Sequence, residues 1–227
     1  MPNGSFTGRT VLVFGAAGAL GAGVAAAFGA AGAAVIGVDR AVPDAGRQLD
    51  GVRYEAADVL DDAALGAFFG AAPAPWAVVN TVGGFAPRGP LADLDPAELT
   101  GQLQLNLVSA ALITKHALRV LQAAGEGRIV HTASRAAVVT KGAGFPYSVS
   151  KAGVLHLVTM AADEVAGSAI TVNCVVPNFV VYRHVGSRAF RPRLARLALY
   201  CRIDSNQGQG GAAARHRVRR SPRRALA

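Results

Sequence analysis

Apolar positions along the chain fall into short runs separated by longer stretches of small or amphipathic residues. VLVF (11–14), AAVIGVD (33–39), VRYEAAD (52–58), WAVVN (76–80), RIVHTAS (128–134) and AITVNCVV (169–176) read as strands, the apolar ones suited to burial on both faces. Between them, residues 19–31, 61–70, 96–124 and 146–166 predict helices. Asp95-Pro96 supplies an N-cap and a first-turn proline, and the last helix opens at Pro146. Strands alternating with helices predict an α/β domain, a doubly wound parallel sheet with right-handed crossovers. The 28 residues from Val11 to Val38 carry no charge, but seven glycines interrupt them. Strand, helix, strand fits that text better than one membrane span.

The alternation stops near Tyr182. It divides the chain into a domain over 1–181 and an Arg-rich tail over 182–227, read as disordered apart from a helical turn or two at 193–200. No final strand is found there, which would leave the sixth strand with an unpaired edge.

Charge follows the same boundary. The overall formal charge of +9 suggests a nucleic-acid partner until it is located. Residues 1–182 carry a net charge of −2 and residues 183–227 carry +11, twelve arginines against one aspartate. The body is therefore a mildly acidic globule. The tail lacks aromatic interleaving and any reading motif, which speaks against a nucleic-acid binder. The abrupt change is what a reading-frame shift in GC-rich DNA would produce. Cys174 and Cys201 form no disulfide framework or metal spacing, and the five histidines show no ligand pattern. The expectation is a cytoplasmic protein with no metal site.

The first candidate chemistry lies in GAAGALG, residues 15–21. Gly15, Gly18 and Gly21, with Ala19 and Leu20, sit where a strand turns into a helix. Missing side chains let the backbone approach a pyrophosphate, and the helix N-terminus offers N–H groups and positive dipole. Asp39 ends the second strand, 18 residues past Gly21, where an acid can hold both adenosine ribose hydroxyls and repel a 2′-phosphate. That favours NAD over NADP, although Arg40 beside it is a residue that could hold a 2′-phosphate. Asp58 suits the adenine amino group or, alternatively, a cap for the helix that follows.

These residues, with Val59, NTVGG (80–84), Asn106, Ser134, YSVSK (147–151) and VNCVVPN (172–178), resemble the short-chain dehydrogenases/reductases over about residues 7–178. Ser134 precedes Tyr147 by the family's usual 13 residues. There are departures: Ala19 stands where the family has its middle glycine, Phe14 where it has Thr, and Pro177-Asn178 where it has Pro-Gly. The resemblance implies a single Rossmann-type domain and hydride transfer between a nicotinamide cofactor and a small alcohol or carbonyl.

It also implies roles. Tyr147 and Lys151 are four apart and share a helix face. A phenol, with an ordinary pKa of about 10, is a poor base near neutrality, and a neighbouring ammonium favours its phenolate. Tyr147 is then the general acid/base. Lys151 holds the nicotinamide ribose and assists Tyr147. Ser134 hydrogen-bonds the substrate oxygen, and Asn106 holds a water in a relay to Lys151. Asn80 either contacts the cofactor or satisfies backbone beside it. Gly83 and Gly84 leave room for the adenosine ribose, and Pro177 flanks the nicotinamide. Ser148 and Ser150 receive no role. Homo-oligomers through the two long helices are a further implication. The competing readings are a catalytically impaired nucleotide-binding relative and a binder of acidic partners through the tail.

Overall fold

In the computed structural model, residues 5–86, 89–139 and 144–177 are described, together with the backbone of two short strands further on. Six strands form one parallel sheet: β1 (Thr10–Phe14), β2 (Ala34–Asp39), β3 (Val52–Ala56), β4 (Ala77–Asn80), β5 (Glu126–Thr132) and β6 (Ala169–Pro177). Their spatial order is 3-2-1-4-5-6. The order reverses between β1 and β4, so a crevice opens at the carboxyl ends of those strands, where open sheets of this kind place ligands.

The helices are α1 (Ala19–Ala30), α2 (Asp62–Ala71), α3 (Pro96–Gln102), α4 (Ser109–Ala124) and α5 (Phe145–Glu164). Strand alternation sends Leu12 and Phe14 to one face of the sheet and Val11 and Val13 to the other. The first face builds the larger core with Leu65, Ile113, Leu121, Val154 and Val158 from α2, α4 and α5. Phe14 stacks on Phe69 with ring centroids 5.6 Å apart, and Val59 packs against the same core. The second face is thinner and carries α1, whose alanines and glycines bring its backbone close to the sheet.

Several expectations change. The helix predicted over 96–124 is two α-helices joined by a π-helical stretch, Leu103–Val108, with Asn106 inside it. Single π-helical turns inside α-helices are frequent at functional sites. Asp58 is not the cap of α2: that role belongs to Asp61, whose Oδ1 accepts from the amides of Ala63 and Ala64. The sixth strand does not end the sheet. β7 (Ala198–Cys201) pairs antiparallel with it, Cys174 opposite Cys201 through Pro177 opposite Ala198, and β8 (Val218–Arg219) pairs with β7. The end of the helical turn read at 193–200 is thus strand from Ala198 on. Backbone pairing across sequence-distant segments left no local pattern to find. The remaining part of the 182–227 expectation lies outside the described residues. Among the described residues no helix is long and apolar enough to cross a membrane.

Candidate active site

The glycine turn joins β1 to α1 through backbone that tolerates no side chain at two points. Gly15 has φ +80°, and a Cβ there would lie 2.7 Å from Thr81 Oγ1. A Cβ on Gly21 would collide with the Gly15 carbonyl. Gly18 is the N-cap of α1, which has no capping side chain and no acid in its first turn. Gly18 and Ala19 are exposed and Leu20 is half-buried. The positive end of the helix is therefore presented by main chain alone.

Asp39 closes this turn from the side. Its Oδ2 accepts the Ala17 amide at 3.0 Å and its Oδ1 accepts the Arg40 amide at 2.9 Å. The carboxylate is thus held at the mouth of the glycine turn, while the Arg40 side chain is exposed. Arg47, which pattern reading missed, donates from Nη2 to the Ala17 carbonyl at 3.0 Å. Asp58 is exposed and its Oδ1 accepts the Leu60 amide at 2.9 Å.

The second cluster is built on β4, β5, the π-helical stretch and α5. Lys151 is buried, and its Nζ donates to the Thr132 carbonyl at 2.9 Å. Burial disfavours the ammonium and pushes the Lys151 pKa down from 10.5 to about 8. Asn106 is also buried. Its Oδ1 accepts the Gly84 amide at 3.0 Å, and its Nδ2 faces Gly84 O, Gln102 Oε1 and Ser150 Oγ at 3.2, 2.8 and 3.0 Å. Each of these contacts of the Asn106 side chain is to a protein group. Ser150 in turn donates to the Tyr147 carbonyl at 2.8 Å. Ser150 therefore ties Asn106 to α5, a role its position in the sequence did not reveal.

The glycines of NTVGG stand directly against protein side chains. A Cβ on Gly83 would sit 2.6 Å from Asn106 Oδ1 and 2.8 Å from Lys151 Nζ, and one on Gly84 would meet Leu105. Their missing side chains make room for Lys151, Asn106 and Leu105. Asn80 is buried and serves backbone and core: its Oδ1 accepts the Val82 amide at 2.9 Å, and its Nδ2 meets His131 Nδ1 at 3.2 Å.

Tyr147 is half-buried one turn before Lys151. The exposed ring of Phe85 meets it edge-on, centroids 5.2 Å apart. Ser134 lies two residues beyond β5 and caps the short turn Arg135–Ala137, accepting the Ala136 amide at 3.2 Å. That turn packs on α5. A cleft of about 820 Å³, lined by Leu91, Ala137, Val138, Phe145 and Val149 among others, adjoins it. Neither Ser134 nor Tyr147 lines the cleft, so its apolar walls flank the cluster instead of containing it. Pro177 closes β6 at the same edge of the sheet. Among the described residues no group of three or more His, Cys, Asp or Glu could hold a metal.

A sheet of this order, with a bare helix N-terminus at its switch point, defines a Rossmann-type α/β protein. The family model for short chain dehydrogenases matches residues 9–188, and the chain belongs to that family. Over 126 residues it is 36% identical to cis-4-hydroxycyclohexanecarboxylate dehydrogenase of Sinomonas cyclohexanicum, covering 54% of this chain and 51% of that one. Over 95 residues it is 39% identical to mitochondrial borneol dehydrogenase of Lavandula x intermedia, covering 42% and 37%. The matched segments thus span about half or less of these curated relatives. Among solved structures, a short-chain type dehydrogenase/reductase from Mycobacterium ulcerans aligns with TM-score 0.71 at 33% identity, over 77% of this chain and 68% of that one. A short chain dehydrogenase from Mycobacterium smegmatis gives the same TM-score at 27% identity, over 78% of each.

Proposed function

We propose that this chain is an NAD-dependent oxidoreductase that interconverts a small alcohol and its carbonyl compound, with Tyr147 as general acid/base. The observation that carries this reading is the buried Lys151, one helical turn from Tyr147, with one donor on Thr132 O and its ammonium beside Gly83. An ammonium has three donors, so two remain to hold ribose hydroxyls. Gly15, Gly18 and Gly21 admit a pyrophosphate against the first turn of α1, and the Asp39 carboxylate suits unphosphorylated ribose hydroxyls. The residues fit a nicotinamide dinucleotide, which when bound supplies the hydride acceptor or donor.

The chain's own residues do the rest. Tyr147 takes the hydroxyl proton of the alcohol, or returns it to the carbonyl in the reverse direction. Ser134 donates a hydrogen bond to the same oxygen as charge develops there. Asn106, through Ser150 and Gly84, keeps α5 and the NTVGG loop in register, so that Tyr147 and Lys151 face one space. Two dehydrogenase relatives are named for ring alcohols, which makes cyclic secondary alcohols and their ketones the first compounds to try. A cytoplasmic location and pairing of copies through α4 and α5 belong to the same reading.

The test is a fluorescence titration with NADH beside NADPH, followed by a screen of cyclic alcohols and ketones. Tighter NADH binding, with turnover lost in Tyr147→Phe and nucleotide affinity retained, is the expected result. Nucleotide binding without turnover of any compound would favour the impaired relative, and absence of binding would remove the enzyme reading.

A further inference from the structure

His131 is fully buried in β5, at the edge of the cluster yet outside the chemistry proposed for it. Its hydrogen bonds form a chain whose directions can be assigned end to end. Asn80 accepts the Val82 amide through Oδ1, so its Nδ2 must face His131 Nδ1 as a donor. Nδ1 is therefore the acceptor and Nε2 carries the ring proton. Nε2 donates to Thr114 Oγ1 at 2.9 Å, and the Thr114 hydroxyl donates to the Ala110 carbonyl at 2.7 Å. One tautomer of one ring thus ties α4, β5 and β4 together. Desolvation, and then the charge of Lys151, push the His131 pKa down from 6.5 to about 4, which keeps the ring neutral and the chain intact near pH 7.

The chain ends at the loop that covers Lys151. Asn80 holds Val82, and the next residue, Gly83, is the one whose Cβ would press on Lys151 Nζ. The residue after His131, Thr132, offers the carbonyl that accepts a hydrogen bond from Lys151 Nζ. The ammonium is therefore enclosed on one side by the backbone of β5 and on the other by a loop braced through the His131 ring.

We propose that His131 is a positioning residue, which fixes the 81–84 loop over Lys151 through Asn80 and so keeps the ammonium out of water. The idea rests on the proposed function only for Lys151's part in turnover; the enclosure itself is a property of the folded chain.

The test reads Lys151 directly and needs no cofactor or substrate. The chain has three lysines, Lys115, Lys141 and Lys151. ¹³C-lysine labelling with NMR titration resolves them, and a Lys151→Met sample assigns the signal. Wild-type Lys151 should titrate near 8. In His131→Leu, which fills space but has no polar atoms, the loop loosens, water reaches Nζ, and the titration should rise by about one unit or more. Thr114→Val removes the acceptor of the His131 Nε2 proton and should give a smaller rise. His131→Gln has one acceptor and one donor at its end and should restore the wild-type value.

An unchanged Lys151 titration in a folded His131→Leu chain overturns the proposal, as does a Gln variant that shifts as far as Leu. Should the Leu variant fail to fold, Thr114→Val decides by the same criterion. Failure of the functional reading would appear separately, as absent nucleotide binding or turnover with the Lys151 titration as expected.

Discussion

The two halves of the site are built by opposite means. The glycine turn between β1 and α1 is shaped by what is missing: at Gly15 and Gly21 a methyl group would strike backbone or a neighbouring side chain. The cluster around Lys151 also needs the bare backbone of Gly83 and Gly84, but it is held together by what is present, a set of buried side chains whose donors and acceptors match. The first kind of site is tolerant of surroundings but intolerant of added volume. The second accepts few changes of polarity, because a buried group left without its partner costs free energy.

The largest effect is expected from removing the proposed acid/base alone. On the proposed function, Tyr147→Phe should lower turnover by about 10²- to 10⁴-fold while the nucleotide affinity assigned there to the glycine turn stays the same. Stopped-flow turnover beside a binding titration checks it, and a matching loss of affinity would show that the halves are not separable.

Next comes Gly21→Ala. The added methyl collides with the Gly15 carbonyl, so α1 must move away from the turn. A loss of about 3 kcal/mol of stability is expected, with nucleotide binding weakened and the Lys151 titration unchanged. Denaturant unfolding and the lysine NMR signal report the two halves separately.

Lys151 gives the polar half a pH signature. Its folded pKa, about 8, lies below the unfolded 10.5 because of burial. Below pH 8 the folded chain carries a buried ammonium, at a cost of about 3 kcal/mol relative to the unfolded chain. From pH 8 to 10.5 the unfolded chain binds more protons, so this penalty fades as pH rises. Relative to wild type, Lys151→Met should therefore lose about 3 kcal/mol of its advantage between pH 7 and 10.5. Unfolding free energies of both proteins across that range test the sign, and a constant difference would mean that Lys151 is solvated.

The smallest effect is expected away from both halves. Lys115 pairs with Asp62 at 2.6 Å on the surface, where Asp62 also meets His116. These partners hold the Asp62 pKa below its ordinary value, the hydrogen bond from Lys115 being the first cause. Exposure and salt screen such a pair, so Lys115→Ala should leave the unfolding midpoint and nucleotide affinity unaltered. A clear shift in either would extend the sensitive region beyond the buried cluster.

Legibility from sequence divides along the same line. The first six strands, the glycine turn and the Tyr147–Lys151 pair each depend on residues a few positions apart, and Asp39 stands at a fixed interval after the turn, so periodicity or spacing exposes them. Ser150 looked idle because its partner, Asn106, lies 44 residues earlier. Gly83 was legible as a position without a side chain, but nothing local shows that Lys151 and Asn106 stand against it. Arg47 and Asp39 meet the glycine turn across 30 and 22 residues, and only the acid stood at a position that spacing could flag.

Local pattern was enough to specify the six parallel strands, the helices between them and the candidate residues for chemistry, since burial pattern and short-range sterics act within a few residues of each position. Packing of distant segments set which atoms those residues commit to. It directed the Asn106 side chain to Gly84 and Ser150, set the His131 ring between Asn80 and Thr114, and enclosed Lys151. The reason is that hydrogen-bond satisfaction in a dry interior is a property of packed neighbours, and the chain brings those neighbours together only when the sheet has closed.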